Sequence, residues 1–246
     1  MKVNPEIFKA YDIRGIYPEQ LNEGIACLIG RAFVRYLKPA EVVIGRDMRL
    51  SSEALWKNLS LGITQAGADV VDIGLCSTDA LYFTVGKFKY DSGIMITASH
   101  NPSEYNGMKM CRKEAVPLSG KKGIEQIKDI ILKGNFTISK KKGTIRKQEI
   151  QPDYIKHLLS FVEPQKIRPF KIVIDAGNGI AGKVLPELFS HLPCKIIPMF
   201  FELDGSFPNH LPNPIIPENI ASLKDKILEQ KADLGVAFDG DADRMF

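Results

Sequence analysis

Gly93-Ile94-Met95-Ile96-Thr97-Ala98-Ser99-His100-Asn101-Pro102 passes from a short apolar run straight into a turn-rich loop. A run of that length bounded by turn residues reads as a strand buried on both faces. Working outward, Val42-Val43-Ile44 ends in Gly45-Arg46-Asp47, and Val70-Val71-Asp72-Ile73-Gly74 is a second strand. Between and before them lie helices. Ile25, Leu28, Ile29, Ala32, Phe33, Tyr36 and Leu37 recur at helical spacing behind a predicted Asn22 cap. Ser51 or Ser52 is expected to cap a helix carrying Leu55, Leu59 and Ile63. Near-continuous apolar strands alternating with amphipathic helices indicate a sheet covered on both faces.

Downstream of Ala98 the residues Asn101-Pro102 and Asn106-Gly107 predict a long loop, and Ile124, Ile127 and Ile131 mark a helix. Lys133 to Lys147 is basic and aperiodic, and a domain boundary is expected at Gln151-Pro152. The pattern then restarts. Tyr154, Ile155, Leu158 and Leu159 suggest a helix, and Lys171-Ile172-Val173-Ile174 is a strand ending in Asp175-Ala176-Gly177-Asn178-Gly179. A helix to about Phe189 and a strand near Ile196-Ile197 follow. Four prolines hold Phe201 to Pro217 in an irregular connection before a helix with Ile220, Leu223 and Ile227. Leu234-Gly235-Val236-Ala237-Phe238 then runs into Asp239-Gly240-Asp241-Ala242-Asp243-Arg244. The expected fold is α/β: two successive three-layer domains with mixed, mostly parallel sheets, residues 1–150 and 151–246, the second truncated. Asp47, Asp175 and Asp239 each follow a strand, and ligands of open α/β sheets gather outside such carboxyl ends.

Composition narrows the function classes. The chain has 246 residues, 44% apolar and 25% charged, with net charge +4. That balance suits a globular protein and gives no basis for nucleic-acid binding. Lys140-Lys141-Lys142, with Arg146 and Lys147, lacks interleaved aromatics and reads as a solvated loop. Cys27, Cys76, Cys111 and Cys194 are scattered, which suits unpaired thiols in a reducing, cytoplasmic setting. No run approaches the ~20 apolar residues of a membrane-spanning helix.

Asp239, Asp241 and Asp243 stand at alternate positions, so on extended backbone they project to one side. Carboxylates that close repel one another unless a cation intervenes, and oxygen-only ligands select hard ions such as Mg²⁺. An EF-hand loop would need glycine where Arg244 stands. A haloacid-dehalogenase-type phosphatase would want Thr or Val in place of Asp243. An exposed acidic turn seldom follows so apolar a strand. Ser99 by itself reads as a turn residue before Asn101-Pro102, since no Gly-x-Ser-x-Gly elbow surrounds it. His100 beside it diverges on extended backbone and does not make a standard triad.

Taken with Ala10-Tyr11-Asp12-Ile13-Arg14-Gly15, Gly45-Arg46-Asp47-Met48-Arg49 and Tyr105-Asn106-Gly107-Met108-Lys109, these loops resemble the α-D-phosphohexomutases, phosphomannomutase/phosphoglucomutase branch. The resemblance implies a phosphoserine at Ser99 and Mg²⁺ ligands at Asp239, Asp241 and Asp243 together with the Ser99 phosphate. It implies Lys109 as general base, Arg14 and Arg244 at the reaction centre binding substrate, and His100 beside the nucleophile. Neighbouring arginines are expected to depress the Lys109 pKa. The implied reaction interconverts hexose 1-phosphate and hexose 6-phosphate, mannose before glucose, with the 1,6-bisphosphate as intermediate and activator. Family members continue into two more domains that read the sugar and clamp its other phosphate, so the 246-residue chain is expected to be weak or inactive alone. A non-catalytic phosphoserine–Mg²⁺ module is the alternative.

Overall fold

A computed structural model describes residues 3–134, 136 and 138–246. The first half is built from β1 (Ile13–Ile16), α1 (Glu23–Leu37), β2 (Glu41–Arg46), α2 (Ser52–Gln65), β3 (Asp69–Leu75), α3 (Thr78–Lys87), β4 (Ser92–Ile96), β5 (Tyr105–Arg112), β6 (Val116–Pro117), α4 (Ile124–Lys133) and β7 (Ile145–Lys147). Its sheet runs β1-β5-β4-β2-β3-β7, with β6 paired to β5. The pairs β4–β2, β2–β3 and β3–β7 are parallel, while β5 is antiparallel to both β4 and β1. Side chains alternate across it as strand geometry requires. Val42, Ile44, Ile94 and Ile96 pack with α1, α2 and α4, whereas Val43 and Met95 face α3. Helices therefore cover both faces.

The second half follows as α5 (Gln151–Leu159), β8 (Lys171–Asp175), α6 (Ala181–Ser190), β9 (Lys195–Met199), α7 (Ala221–Gln230) and β10 (Leu234–Ala237). Its parallel sheet has the order β10-β8-β9. Ile172 and Ile174 pack toward α6, and Val173 and Ala237 toward α7, giving a second three-layer unit. One buried cluster spans both halves: Val71, Ile73 and Leu81 meet Ile150, Tyr154 and Ile155 of the α5 segment and Ile180 and Val184 of the α6 segment.

The expected α/β class stands, and Asn22 Oδ1 accepts from the Ile25 N–H at 3.1 Å as the cap of α1. Several local expectations do not. The loop predicted after Asn101-Pro102 is in part the strand β5, which lies between β4 and β1. Gly107 belongs there because a Cβ would lie 2.2 Å from the Ile13 carbonyl oxygen. Neither Ser51 nor Ser52 caps α2 with its side chain. Both instead accept from the Asn106 side-chain amide, at 2.8 and 3.0 Å. Helix α3, capped by Ser77 Oγ accepting from the Ala80 N–H at 3.2 Å, has no counterpart in the sequence reading, nor has β7 within the basic stretch. The four cysteines are free thiols, and no helix among the described residues is long and apolar enough to cross a membrane.

Candidate active site

Strand β4 delivers the serine loop. The Ser99 N–H donates to Thr97 Oγ1 at 2.8 Å, and the Asn101 N–H donates to the Ala98 carbonyl at 3.0 Å, so the chain turns at once. Ser99 takes φ +52°, in the left-handed region, and the expected extended geometry at this point is overturned. The turn sets Ser99 Oγ 3.4 Å from His100 Nδ1. Arg49, whose side chain is fully buried, holds the loop from beneath. Its Nη1 donates to the carbonyls of Pro102 and Tyr105 at 2.6 and 2.9 Å. Its Nη2 donates to those of Ser99 and Asn101 at 3.0 and 2.6 Å. The planar fork of donors matches this ring of carbonyls in a way that a lysine cannot.

The second loop leaves β10. The Ala242 N–H donates to the Asp239 carbonyl at 3.1 Å and Ala242 has φ +58°, so the acidic trio is gathered by a turn and not by extended alternation. One oxygen from each of Asp239, Asp241 and Asp243 lies within 4.8 Å of the others. Gly240 allows the two loops to meet, since a Cβ there would stand 2.6 Å from the Ser99 carbonyl oxygen. Across that contact Ser99 Oγ donates to Asp239 Oδ2 at 2.8 Å. Arg244 closes the cluster: its Nη2 reaches Asp239 Oδ2 at 2.6 Å, His100 Nδ1 at 2.5 Å and Ser99 Oγ.

The remaining predicted residues sit around this junction. Lys109 Nζ bridges Asp241 Oδ2 at 2.7 Å and Asp243 Oδ2 at 2.5 Å. Arg14 donates to Asn101 Oδ1 and to Asp12 Oδ2, both at 2.5 Å, which places it beside the serine loop and outside the acidic trio. Asp47 and Asp175, grouped with Asp239 by their strand-end positions, have other partners. Asp47 accepts from Ser52 Oγ at 2.7 Å and from the Arg49 N–H at 3.1 Å. Asp175 faces His210 Nε2 at 2.9 Å and the Gly177 N–H at 2.8 Å.

Electrostatics follow from burial and this packing. Desolvation, joined by the charges of Asp241 and Asp243, pushes Asp239 up to about 7. Burial alone would raise Asp241 too, but the Lys109 charge and its hydrogen bonds pull it below the usual range. Burial would likewise lower Lys109, yet Asp241 and Asp243 outweigh it, and the ammonium is held more firmly than in water. The expected depression of Lys109 by arginines is thus reversed. His100 is lowered by burial and by the Arg244 and Arg14 charges, and Arg244 donates to its Nδ1. It is therefore a neutral ring with its N–H on Nε2.

These residues fit a hard divalent cation. Asp241 Oδ1 and Asp243 Oδ1 are buried with no hydrogen-bond partner among the described residues, although Arg244 Nε stands 3.4 Å from the latter. Buried carboxylate oxygens left open are costly unless a cation or donors serve them. Sequence reasoning assigns no role to Arg49, Thr78, Thr97 or Asp79. Thr78 Oγ1 donates to Asp241 Oδ2 at 2.5 Å. Asp79, beside it, is raised to about 6 by burial and by the Asp243 and Asp241 charges. Only the position of Ser77-Thr78-Asp79 after a strand hints at this.

Comparison with known proteins agrees with the geometry. Residues 5–138 match the model of phosphoglucomutase/phosphomannomutase α/β/α domain I, and residues 152–246 match domain II. A phosphomannomutase of Vibrio cholerae is 44% identical over 97% of this chain and 54% of its own length. A Xanthomonas campestris protein named for phosphohexose mutases is 43% identical over 97% of this chain and 53% of its own. The crystal structure of a Burkholderia thailandensis phosphoglucomutase/phosphomannomutase family protein superposes with a TM-score of 0.90 at 37% identity, covering 99% of this chain and 54% of that one. The chain spans about half the length of the curated relatives it matches. Two consecutive family domains, joined where a serine loop meets an acidic trio, make this chain a member of the phosphoglucomutase/phosphomannomutase family.

Proposed function

We propose that this chain carries the phosphoryl-exchanging part of a hexose-phosphate mutase, with Ser99 as the residue that holds the phosphoryl group. The observation that carries the reading is the 2.8 Å contact between Ser99 Oγ and Asp239 Oδ2, a hydroxyl delivered directly onto a cation-fitting trio. Asp239, Asp241 and Asp243 would hold Mg²⁺, which when bound would supply Lewis-acid polarisation of the serine phosphate.

The side chains divide the remaining work. Ser99, once phosphorylated, gives its phosphoryl group to the free hydroxyl of a hexose 1- or 6-phosphate. The 1,6-bisphosphate turns over in the site, and its other phosphate returns to Ser99. Arg244, in contact with Ser99 Oγ, takes up negative charge that develops on that oxygen as the phosphoryl group departs. His100 presents its Nε2–H, and Arg14 lends positive charge from beside the loop. Lys109 is positioned to accept the substrate hydroxyl proton, but only when its two ion pairs are relieved, because with them intact it is a held ammonium. Mannose is the favoured sugar, given the names of the similar proteins, with glucose next. Sugar recognition and anchoring of the non-reacting phosphate fall to segments of the family that lie beyond the matched half, and without such anchoring positional catalysis is weak.

The test is phosphoryl labelling. Incubation with ³²P-labelled glucose 1,6-bisphosphate and Mg²⁺ should label Ser99, with Ser99→Ala unlabelled. Equal labelling of the Ser99→Ala variant would remove Ser99 as the acceptor.

A further inference from the structure

The two carboxylate oxygens of Asp241 have different surroundings. Oδ2 accepts from Thr78 Oγ1 at 2.5 Å and from Lys109 Nζ at 2.7 Å. Oδ1 is buried and has no hydrogen-bond partner among the described residues. Thr78 is the first residue of α3 and itself buried at 1% exposure. Its backbone N–H also donates to the Asp241 carbonyl oxygen at 3.2 Å, so one residue fixes both the main chain and the carboxylate of Asp241. Lys109 does not set the rotation of that carboxylate alone, because its ammonium is a point charge shared with Asp243. A hydroxyl on a rigid helix start can. Donors behind a ligating carboxylate decide which oxygen it turns toward the ion.

We propose that Thr78 is a positioning residue of the metal site: its hydroxyl pins Asp241 Oδ2 so that Oδ1 is the oxygen presented to Mg²⁺. The proposal rests on the metal reading of the acidic trio. Because Thr78 belongs to the first half and Asp241 to the second, cation affinity is tied to the docking of the two halves.

The experiment is calorimetric titration of Mg²⁺ into the full 246-residue chain and its variants, with no substrate present. Thr78→Val keeps the shape and the backbone N–H but removes the hydroxyl, and should weaken Mg²⁺ binding by about 10–100-fold. Thr78→Ser keeps the hydroxyl and should bind near the parent value. If the Thr78→Val protein does not fold, Thr78→Ala read against Thr78→Ser gives the same comparison. Asp241→Asn tests the underlying reading and should lose most of the binding. If Thr78→Val binds as tightly as the parent while Asp241→Asn does not bind, the role of Thr78 is overturned and the metal site is left standing. A loss with Thr78→Ser that Thr78→Val does not share assigns the effect to packing and also overturns it. Parent and Asp241→Asn chains that bind Mg²⁺ equally, or not at all, end both readings.

Discussion

The pKa of Asp239 is pushed up to about 7 by burial and two neighbouring carboxylates, against the opposing charge of Arg244. A cation that binds the trio competes with protonation of Asp239, so Mg²⁺ affinity should fall as pH drops through this range. The Mg²⁺-induced rise in thermal midpoint should accordingly be larger at about pH 8 than at about pH 6. An equal rise at both values would mean that Asp239 does not face the ion. His210 behaves with a different partner. Its pKa is raised by the hydrogen bond to Asp175, against the opposing effect of burial. The stabilisation it provides is complete below its unfolded value and is lost as pH rises through the higher folded one. In urea titrations the gap between parent and His210→Ala should therefore narrow between about pH 6 and about pH 8. The acidic trio was legible at this scale, because alternating aspartates behind an apolar strand are an unusual pattern, whereas Ser99 alone reads as a turn residue and stands out only through the family resemblance. The charge state of Lys109 was not. It depends on Asp241, a neighbour 132 residues away that spacing alone does not place beside it.

At the scale of elements, β5 shows where sequence patterns mislead. Asn106-Gly107 is the strongest short turn signal in its neighbourhood, yet both residues are interior strand positions. Asn106 is tolerated there because its amide donates to Ser51 and Ser52, and Gly107 because β1 passes too close for a side chain. Both reasons are tertiary, so neither is visible locally. Gly107→Ala should destabilise the chain by about 3 kcal/mol, at the upper end for overpacking, measured as a lower urea midpoint. An unchanged midpoint would show that β1 moves aside freely. Helices α1, α4 and α7 were readable because their apolar residues repeat at helical spacing. Helix α3 was not, since buried Thr78 and Thr84 occupy core positions where a periodicity search looks for apolar residues.

For the whole molecule, the decisive feature is the cluster that joins Leu81 and Val85 to Tyr154, Ile155 and Val184. A core shared in this way makes separate melting of the halves unfavourable. Fluorescence of Trp56, which is in α2 and stacks beneath Arg46, reports the first half, while far-ultraviolet dichroism reports both. The two probes should give one coincident urea transition, and two resolved steps would show that the halves fold independently. The repeated strand–helix pattern made two α/β units legible, but their common core depends on tertiary packing of residues such as Ile73 and Leu81 against Tyr154 and Val184. Finally, Ser99 and Asp239 are 140 positions apart along the backbone. Closing so long a loop is entropically slow, and non-local contacts form late. On a ribosome Ser99 emerges well before Asp239, so a nascent polypeptide can finish its first sheet while the contact between the two loops is still unassembled.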